Sequence, residues 1–132
     1  MRDTPKISLI DTIKTIASEI YDELGSGLPE KIYSQAIQVV LRSRSIPYDA
    51  EKVIEVKYRG HFVGEIYLDL LIGTDPEKLM LEIKATNKLT PADEQQIKNY
   101  MRILQVKTGL LINFCKIDSK GMPRLEMKVV SA

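Results

Sequence analysis

The sequence predicts an α/β domain: a mixed central sheet flanked by helices. Two observations carry that expectation. Apolar residues recur with helical spacing in three segments and with strand character in five, in the order ααβββαββ. A three-strand meander followed by a helical crossover to further strands implies a sheet that is neither purely parallel nor purely antiparallel, with helices packed on it. The 132 residues, 44% hydrophobic and 28% charged, fit one globular domain over 1–132.

Residues 1–6 read as a loose end. From Ser8 to Leu24, the residues Leu9, Ile10, Ile13, Ile16, Ala17, Ile20, Tyr21 and Leu24 form a single helical stripe. Gly25-Ser26-Gly27 stops it, since glycine suits a left-handed C-cap. A second helix begins near Pro29, buries Ile32, Tyr33, Ala36, Ile37, Val40 and Leu41, and ends before Ile46-Pro47. Val53 to Tyr58 predicts a strand, Arg59-Gly60-His61 a turn, and Phe62 to Ile72 a second strand. That second run is apolar nearly throughout, so burial on both faces is expected. Gly73 to Lys78 is a turn cluster, and Leu79 to Ala85 a third strand. Thr90-Pro91-Ala92-Asp93 reads as an N-cap, a first-turn proline and an acid at the third position. The helix it opens runs to about Gln105, with Ile97, Tyr100, Met101 and Leu104 inward. Gly109 to Phe114 is a buried strand and Arg124 to Val130 an alternating one.

Several functions are excluded at this level. No apolar run is long enough to span a membrane, and the start MRDTPKISLIDT lacks a secretory signal's apolar stretch. One cysteine, Cys115, forbids an internal disulfide and a cysteine-rich zinc site. It reads as an inert apolar residue of a reducing, cytoplasmic compartment. One histidine, His61, sits at an expected hairpin tip and argues against His-based zinc or a Ser-His-Asp triad. The net charge of +1, from 19 basic and 18 acidic residues, neither announces nor excludes a nucleic-acid partner.

Three clusters could carry chemistry. The first is Asp69, Glu82 and Lys84. Strand alternation puts Glu82 and Lys84 on one face, with Leu79, Leu81, Ile83 and Ala85 on the other. If the preceding turn centres on Asp75-Pro76, antiparallel register sets Asp69 opposite Glu82. Two adjacent carboxylates repel unless a cation lies between them, and oxygen donors suit Mg²⁺ or Mn²⁺. A bare E-x-K is more often a solvated strand face, but an aspartate inside so apolar a run needs a partner. The second cluster is Gly27-x-x-Glu30-x-x-Tyr33, with Glu30 on the inward stripe of its helix; alone, it reads as an acid favoured by the helix dipole. The third is Gln96-x-x-x-Tyr100, on one helical face. Alone, it reads as the polar edge of a core stripe.

Taken together, Glu30, Asp69, Glu82-Ile83-Lys84 and Gln96-x-x-x-Tyr100 resemble the PD-(D/E)xK nuclease superfamily, with a RecB-like or lambda-exonuclease-like core. More narrowly, Gly27-Leu28-Pro29-Glu30-Lys31-Ile32-Tyr33 resembles the signature of the GxxExxY proteins. Val63-Gly64-Glu65, Leu68-Asp69-Leu70-Leu71, Glu82-Ile83-Lys84-Ala85, Leu89-Thr90-Pro91 and Gly109 to Phe114 fit that pattern too. The resemblance runs from about residue 9 to residue 130. It implies a restriction-endonuclease-like αβββαβ core with an extra N-terminal helix. It implies Asp69, Glu82 and the Ile83 carbonyl as ligands of Mg²⁺ or Mn²⁺, Glu30 as an outer or second-metal carboxylate, and Lys84 as the catalytic lysine. Gln96 and Tyr100 would help position the site and DNA. The chain departs from the GxxExxY pattern at Tyr21, where those proteins commonly carry histidine.

The resulting expectation is a divalent-metal-dependent nuclease acting on DNA, in repair, recombination or defence, with a homodimer or a larger complex open to it. A non-catalytic DNA-binding or complex-forming module on the same fold is the competing class, and a dimeric Holliday-junction-resolvase-like endonuclease is the alternative enzyme. Lys88, Lys98, Arg102 and Lys107 beside the third cluster, and Arg42, Arg44, Lys52, Lys57 and Arg59 elsewhere, are either phosphate contacts or solvated faces.

Overall fold

The structure, a computed structural model, describes residues 8–115 and 120–131; the loose end expected at residues 1–6 lies outside them. The elements are α1 (Leu9–Leu24), α2 (Glu30–Ser43), β1 (Tyr48–Tyr58), β2 (His61–Ile72), β3 (Leu79–Lys84), α3 (Pro91–Leu104), β4 (Thr108–Cys115) and β5 (Arg124–Ser131). This is the expected order. The strands form one five-stranded sheet in chain order, antiparallel except for β3 and β4, which run parallel and are joined through α3. No helix among the described residues is long and apolar enough to cross a membrane.

Local chemistry sets the helix ends. Ser8 accepts from the Asp11 amide at 3.1 Å and caps α1, and Gly25, at φ 70°, closes it by donating its backbone N–H to the Tyr21 carbonyl at 2.8 Å. Thr90 and Asp93 form a reciprocal capping box at the start of α3. Pro29 precedes α2 as its N-cap rather than lying within its first turn.

The sheet has two unlike faces. Leu79, Leu81 and Ile83 of β3 and Leu110, Ile112 and Phe114 of β4 pack under α1 and α2, against Ile13, Ile16, Ile37 and Leu41. Met80 and Leu111, which alternate with them, pack on the other face against Ile97 and Met101 of α3. Gly109 permits that approach: a β-carbon there would sit 2.7 Å from the Met101 sulfur. Glu82 and Lys84 continue the Met80 side, so they belong to the α3 face.

The β1–β2 ribbon differs most from the sequence reading. β1 starts at Tyr48, well before Val53. Glu51 within it takes a φ of 52°, which is uncommon for a residue with a side chain. At that level the ribbon changes layer. Tyr48, Ala50, Leu70 and Ile72 pack with the α1/α2 cluster, whereas Ile54, Ile66 and Leu68 pack with the α3 cluster. Beyond this, the ribbon leaves the core. The expected burial of Phe62–Ile72 on both faces holds only from Leu68 onward; Phe62, Val63 and Tyr67 are exposed. An apolar run reads the same whether a layer covers it or not.

Candidate metal site at the fork of two strands

Asp69 lies where β2 and β3 part. Their ladder pairs Ile72 with Leu79, Leu71 with Met80 and Leu70 with Leu81. One step further, the same register would bring Asp69 level with Glu82. Instead of continuing the ladder, the Asp69 side chain accepts from the Ile83 amide at 2.8 Å. The aspartate thus occupies the opening of the fork and satisfies a backbone donor that the departing strand leaves free.

Glu82 is only 6% exposed, and its Oε1 is buried without a hydrogen-bond partner. Burial, followed by the neighbouring Asp69 charge, pushes its carboxyl up to about 8, an effect that the Asp69 backbone amide and then Lys84 only partly offset. A buried carboxylate beside a second carboxylate, with one oxygen unmatched, is a costly arrangement that a hard cation would relieve. The donor set therefore fits a divalent ion held by oxygen.

Lys84 leans toward α3, with its Nζ 3.9 Å from Asp93 Oδ1 and both side chains largely covered. The other Asp93 oxygen accepts from the Thr90 amide at 2.9 Å and its hydroxyl at 3.0 Å. The capping acid of α3 is therefore also the partner of Lys84. Sequence reading identified the cap and missed this second contact, which depends on where α3 lands.

The segment between β3 and α3 is clamped from below. Asn113 of β4, fully buried, accepts from the Thr86 amide at 2.9 Å and donates to the Thr86 carbonyl at 3.1 Å and to Glu126 at 3.2 Å. Glu126 of β5 also accepts from the Leu89 amide at 3.0 Å, and the Cys115 thiol donates to the Asn87 carbonyl at 2.7 Å. These contacts fix the direction in which β3 ends and hence the reach of Lys84. A polar residue inside the apolar run Gly109–Cys115 was the available signal for Asn113. Cys115 is buried, as expected.

The other expected residues divide. Gln96 is exposed and donates to the Tyr100 hydroxyl at 3.2 Å; Tyr100 is half-buried against the α3 cluster. Both lie on α3, the helix whose first turn faces Lys84. Glu30 is exposed on the first turn of α2, the layer on the opposite side of the sheet. It borders a cleft of about 410 Å³ with Gly27, Leu28, Pro29 and Ala85, next to the end of β3. Among the described residues, no group of three or more His, Cys, Asp or Glu side chains is placed to hold a metal ion, so Glu30 does not complete one with Asp69 and Glu82. The physical reason is the layering: α2 and α3 do not cover the same face. Tyr33, the last residue of that motif, is fully buried. It stacks on Phe114 at 3.9 Å between ring centroids, donates to the Gly25 carbonyl at 2.7 Å and accepts from the Leu28 amide at 3.2 Å. It anchors the turn that carries Glu30.

A family model for the PD-(D/E)XK nuclease superfamily matches residues 8–125, nearly the whole chain. The chain therefore belongs to that superfamily, and the mixed five-stranded sheet with its three helices is consistent with the superfamily's restriction-endonuclease-like fold. Among solved structures, the fold is similar to that in the crystal structure of SSO0001, with a TM-score of 0.51 and 16% identity, over 99% of this chain and 69% of the other. A comparison with curated proteins gives no match.

Proposed function

We propose that this chain is a divalent-metal-dependent nuclease of GxxExxY type that hydrolyses DNA phosphodiester bonds. The observation that carries the reading is the buried, unpartnered oxygen of Glu82 beside Asp69. Asp69 and Glu82 would hold Mg²⁺ or Mn²⁺. The Ile83 carbonyl is a reasonable third donor, because a strand residue's N–H and C=O leave the same edge and its N–H already faces Asp69. Glu30 is kept as an outer carboxylate acting through the cleft beside Ala85.

A bound divalent ion supplies Lewis-acid polarisation of the scissile phosphate and neutralises charge on it. The remaining work falls to the chain itself. Lys84, steered by Asp93, orients the attacking water and balances the negative charge that grows on the phosphate. Asn113 and Glu126 keep the end of β3 fixed so that this ammonium does not wander. Gln96 and Tyr100 line the adjoining edge of α3, where substrate would lie.

The test is cleavage of labelled single-stranded, duplex and junction DNA and of RNA in Mg²⁺ or Mn²⁺. Asp69→Asn and Glu82→Gln should abolish cleavage and also remove the rise in melting temperature that Mn²⁺ gives the parent. Lys84→Ala should lower kcat by about 10²-fold or more while keeping that rise. Wild-type cleavage by either carboxylate variant would mean the ion is bound elsewhere. A parent protein with no metal-dependent cleavage on any substrate would favour the non-catalytic module.

A further inference from the structure

The tip of the β1–β2 ribbon carries a second feature. Tyr58 pairs with His61, leaving Arg59 and Gly60 as a two-residue turn, and both have positive φ, 50° and 81°. That is the backbone of a type I′ hairpin, whose first position favours Asn, Asp or Gly. Arginine there carries a steric penalty that asparagine would avoid. Its guanidinium lies over the Tyr58 ring, 5.1 Å from the centroid. Tyr58 itself is 60% exposed. A stacked tyrosine and arginine held out in water, on a turn that arginine does not favour, add nothing to the core.

The two faces of the ribbon differ in charge. Ile54 packs with the α3 cluster, so alternation along β1 puts Val56 and Tyr58 on the α3 side; the register shift after Val56, which leaves Val63 without a ladder partner in β2, brings His61 opposite Tyr58 and Phe62 opposite Lys57. The opposite face carries Glu55 directly across from Glu65, followed by Lys57 and Phe62. Between Val56 and Gly64 there is no acidic residue. An anionic strand would therefore be repelled by the Glu55–Glu65 face and accepted on the side that carries Tyr58 and Arg59. That is also the side on which α3, Lys84 and the strand fork lie.

We propose that Tyr58, Arg59 and His61 form a platform on which the bases of a single-stranded nucleic acid stack, away from the strand fork. The proposal rests on the nuclease reading for the identity of the ligand. About eight strand residues at ~3.3 Å each separate His61 from Asp69, so the platform lies up to about 26 Å from the fork. At ~3.4 Å per nucleotide that is up to about eight nucleotides of bound strand. An exposed aromatic face and an adjoining guanidinium are what sequence-tolerant single-strand binding uses.

The experiment measures binding of a fluorescein-labelled single strand of about 20 nucleotides, long enough to span both places. The background is Lys84→Ala, so that the strand is not cut. Tyr58→Ala should weaken binding about tenfold or more, with Tyr58→Phe restoring it. Arg59→Asn should weaken it severalfold and lower the salt dependence by about one phosphate contact. Its melting temperature should stay at or above the parent's, since asparagine suits the turn. Phe62→Ala, an equally exposed aromatic on the acidic face, should leave binding unchanged. Affinities of Tyr58→Ala and Arg59→Asn within twofold of the parent would overturn the platform while leaving the nuclease reading intact. So would a Phe62→Ala loss as large as that of Tyr58→Ala, which would mean that strand binding does not depend on the side carrying Tyr58 and Arg59. Platform-dependent binding by a protein whose Lys84 form never cleaves would do the reverse, keeping the platform and removing the nuclease.

Discussion

The two faces of this sheet are built on different terms. Under α1 and α2, β3 and β4 present Leu79, Leu81, Ile83, Leu110, Ile112 and Phe114 to a layer of Ile and Leu, and a polar atom buried among them, the Tyr33 hydroxyl, is hydrogen-bonded. Under α3, the same two strands present Met80 and Leu111 and then, toward their C-terminal ends, Glu82, Lys84 and Asn113. One face removes apolar surface from water and has little left unmatched. The other gives up apolar burial at its end and keeps a carboxylate oxygen with no partner. Stability and the proposed chemistry thus fall on opposite sides of the same strands, alternating residue by residue. That is why a single three-residue stretch, Glu82-Ile83-Lys84, serves both.

If the division is real, the largest stability effect belongs to the α1/α2 face. Leu81 is fully buried there, one residue before Glu82. Leu81→Ala should cost about 2–5 kcal/mol through lost transfer energy and a residual cavity. Cleavage per folded molecule, measured well below the lowered melting temperature, should stay near the parent's. Lys84→Ala should give the opposite pattern, with melting unchanged and catalysis lost. A Leu81→Ala protein that is stable but inactive would show that the faces are not separable.

A smaller effect sharpens the other side of the comparison. In the metal-free protein, the Glu82 carboxyl is held at about 8 against an ordinary 4.5. Between these values, the unfolded chain releases this proton and the folded chain retains it. Stability therefore falls as pH rises through that window and levels off above it. The loss comes from burying the charge without a counter-ion, with the Asp69 charge second. Glu82→Gln has no such proton, so in chelator its melting temperature should gain on the parent's progressively from pH 5 to pH 8. Mg²⁺ at pH 8 should close the gap by binding only the parent. A difference that does not grow with pH would mean that Glu82 is not desolvated as the structure has it.

How much of this could be read beforehand follows the same physics. The element order was legible because each period is local: helical stripes around Ile13 and Ile37, a capping box at Thr90, and alternation around Glu82. The register of β2 against β3 was legible as well, because a short turn fixes it, but the ladder ends at Leu70–Leu81 and Asp69 turns to the Ile83 amide instead of pairing with Glu82. Which face each helix covers was not legible. The stripe of α2 says only that it packs on something, and that ambiguity separates Glu30 from the face carrying Glu82. The Asp93–Lys84 contact and the Asn113–Thr86 clamp were hidden because their partners meet only in three dimensions. The outer half of β2 misled for the same reason, since Phe62 and Val63 look like core until the ribbon is seen to leave it.

The smallest effect tests whether the α1/α2 face contributes anything to the site beyond support. Tyr33 closes the motif that begins at Gly27, and its ring stacks on Phe114 while its hydroxyl joins the Gly25 carbonyl and the Leu28 amide. Tyr33→Phe keeps the stack and deletes only the oxygen. Two hydrogen bonds are lost, but both partners lie in a partly exposed turn that water can reach, so the cost should be about 1–2 kcal/mol. Hydrogen exchange at the Leu28 amide should quicken, because the group that protects it is gone. Cleavage should change less than twofold, since Lys84, Asp69 and Glu82 sit across the sheet. A drop of tenfold or more at unchanged melting temperature would mean that the turn carrying Glu30 must be held in place for catalysis. The outer-carboxylate role proposed for Glu30 would then depend on Tyr33 holding that turn at the cleft beside Ala85.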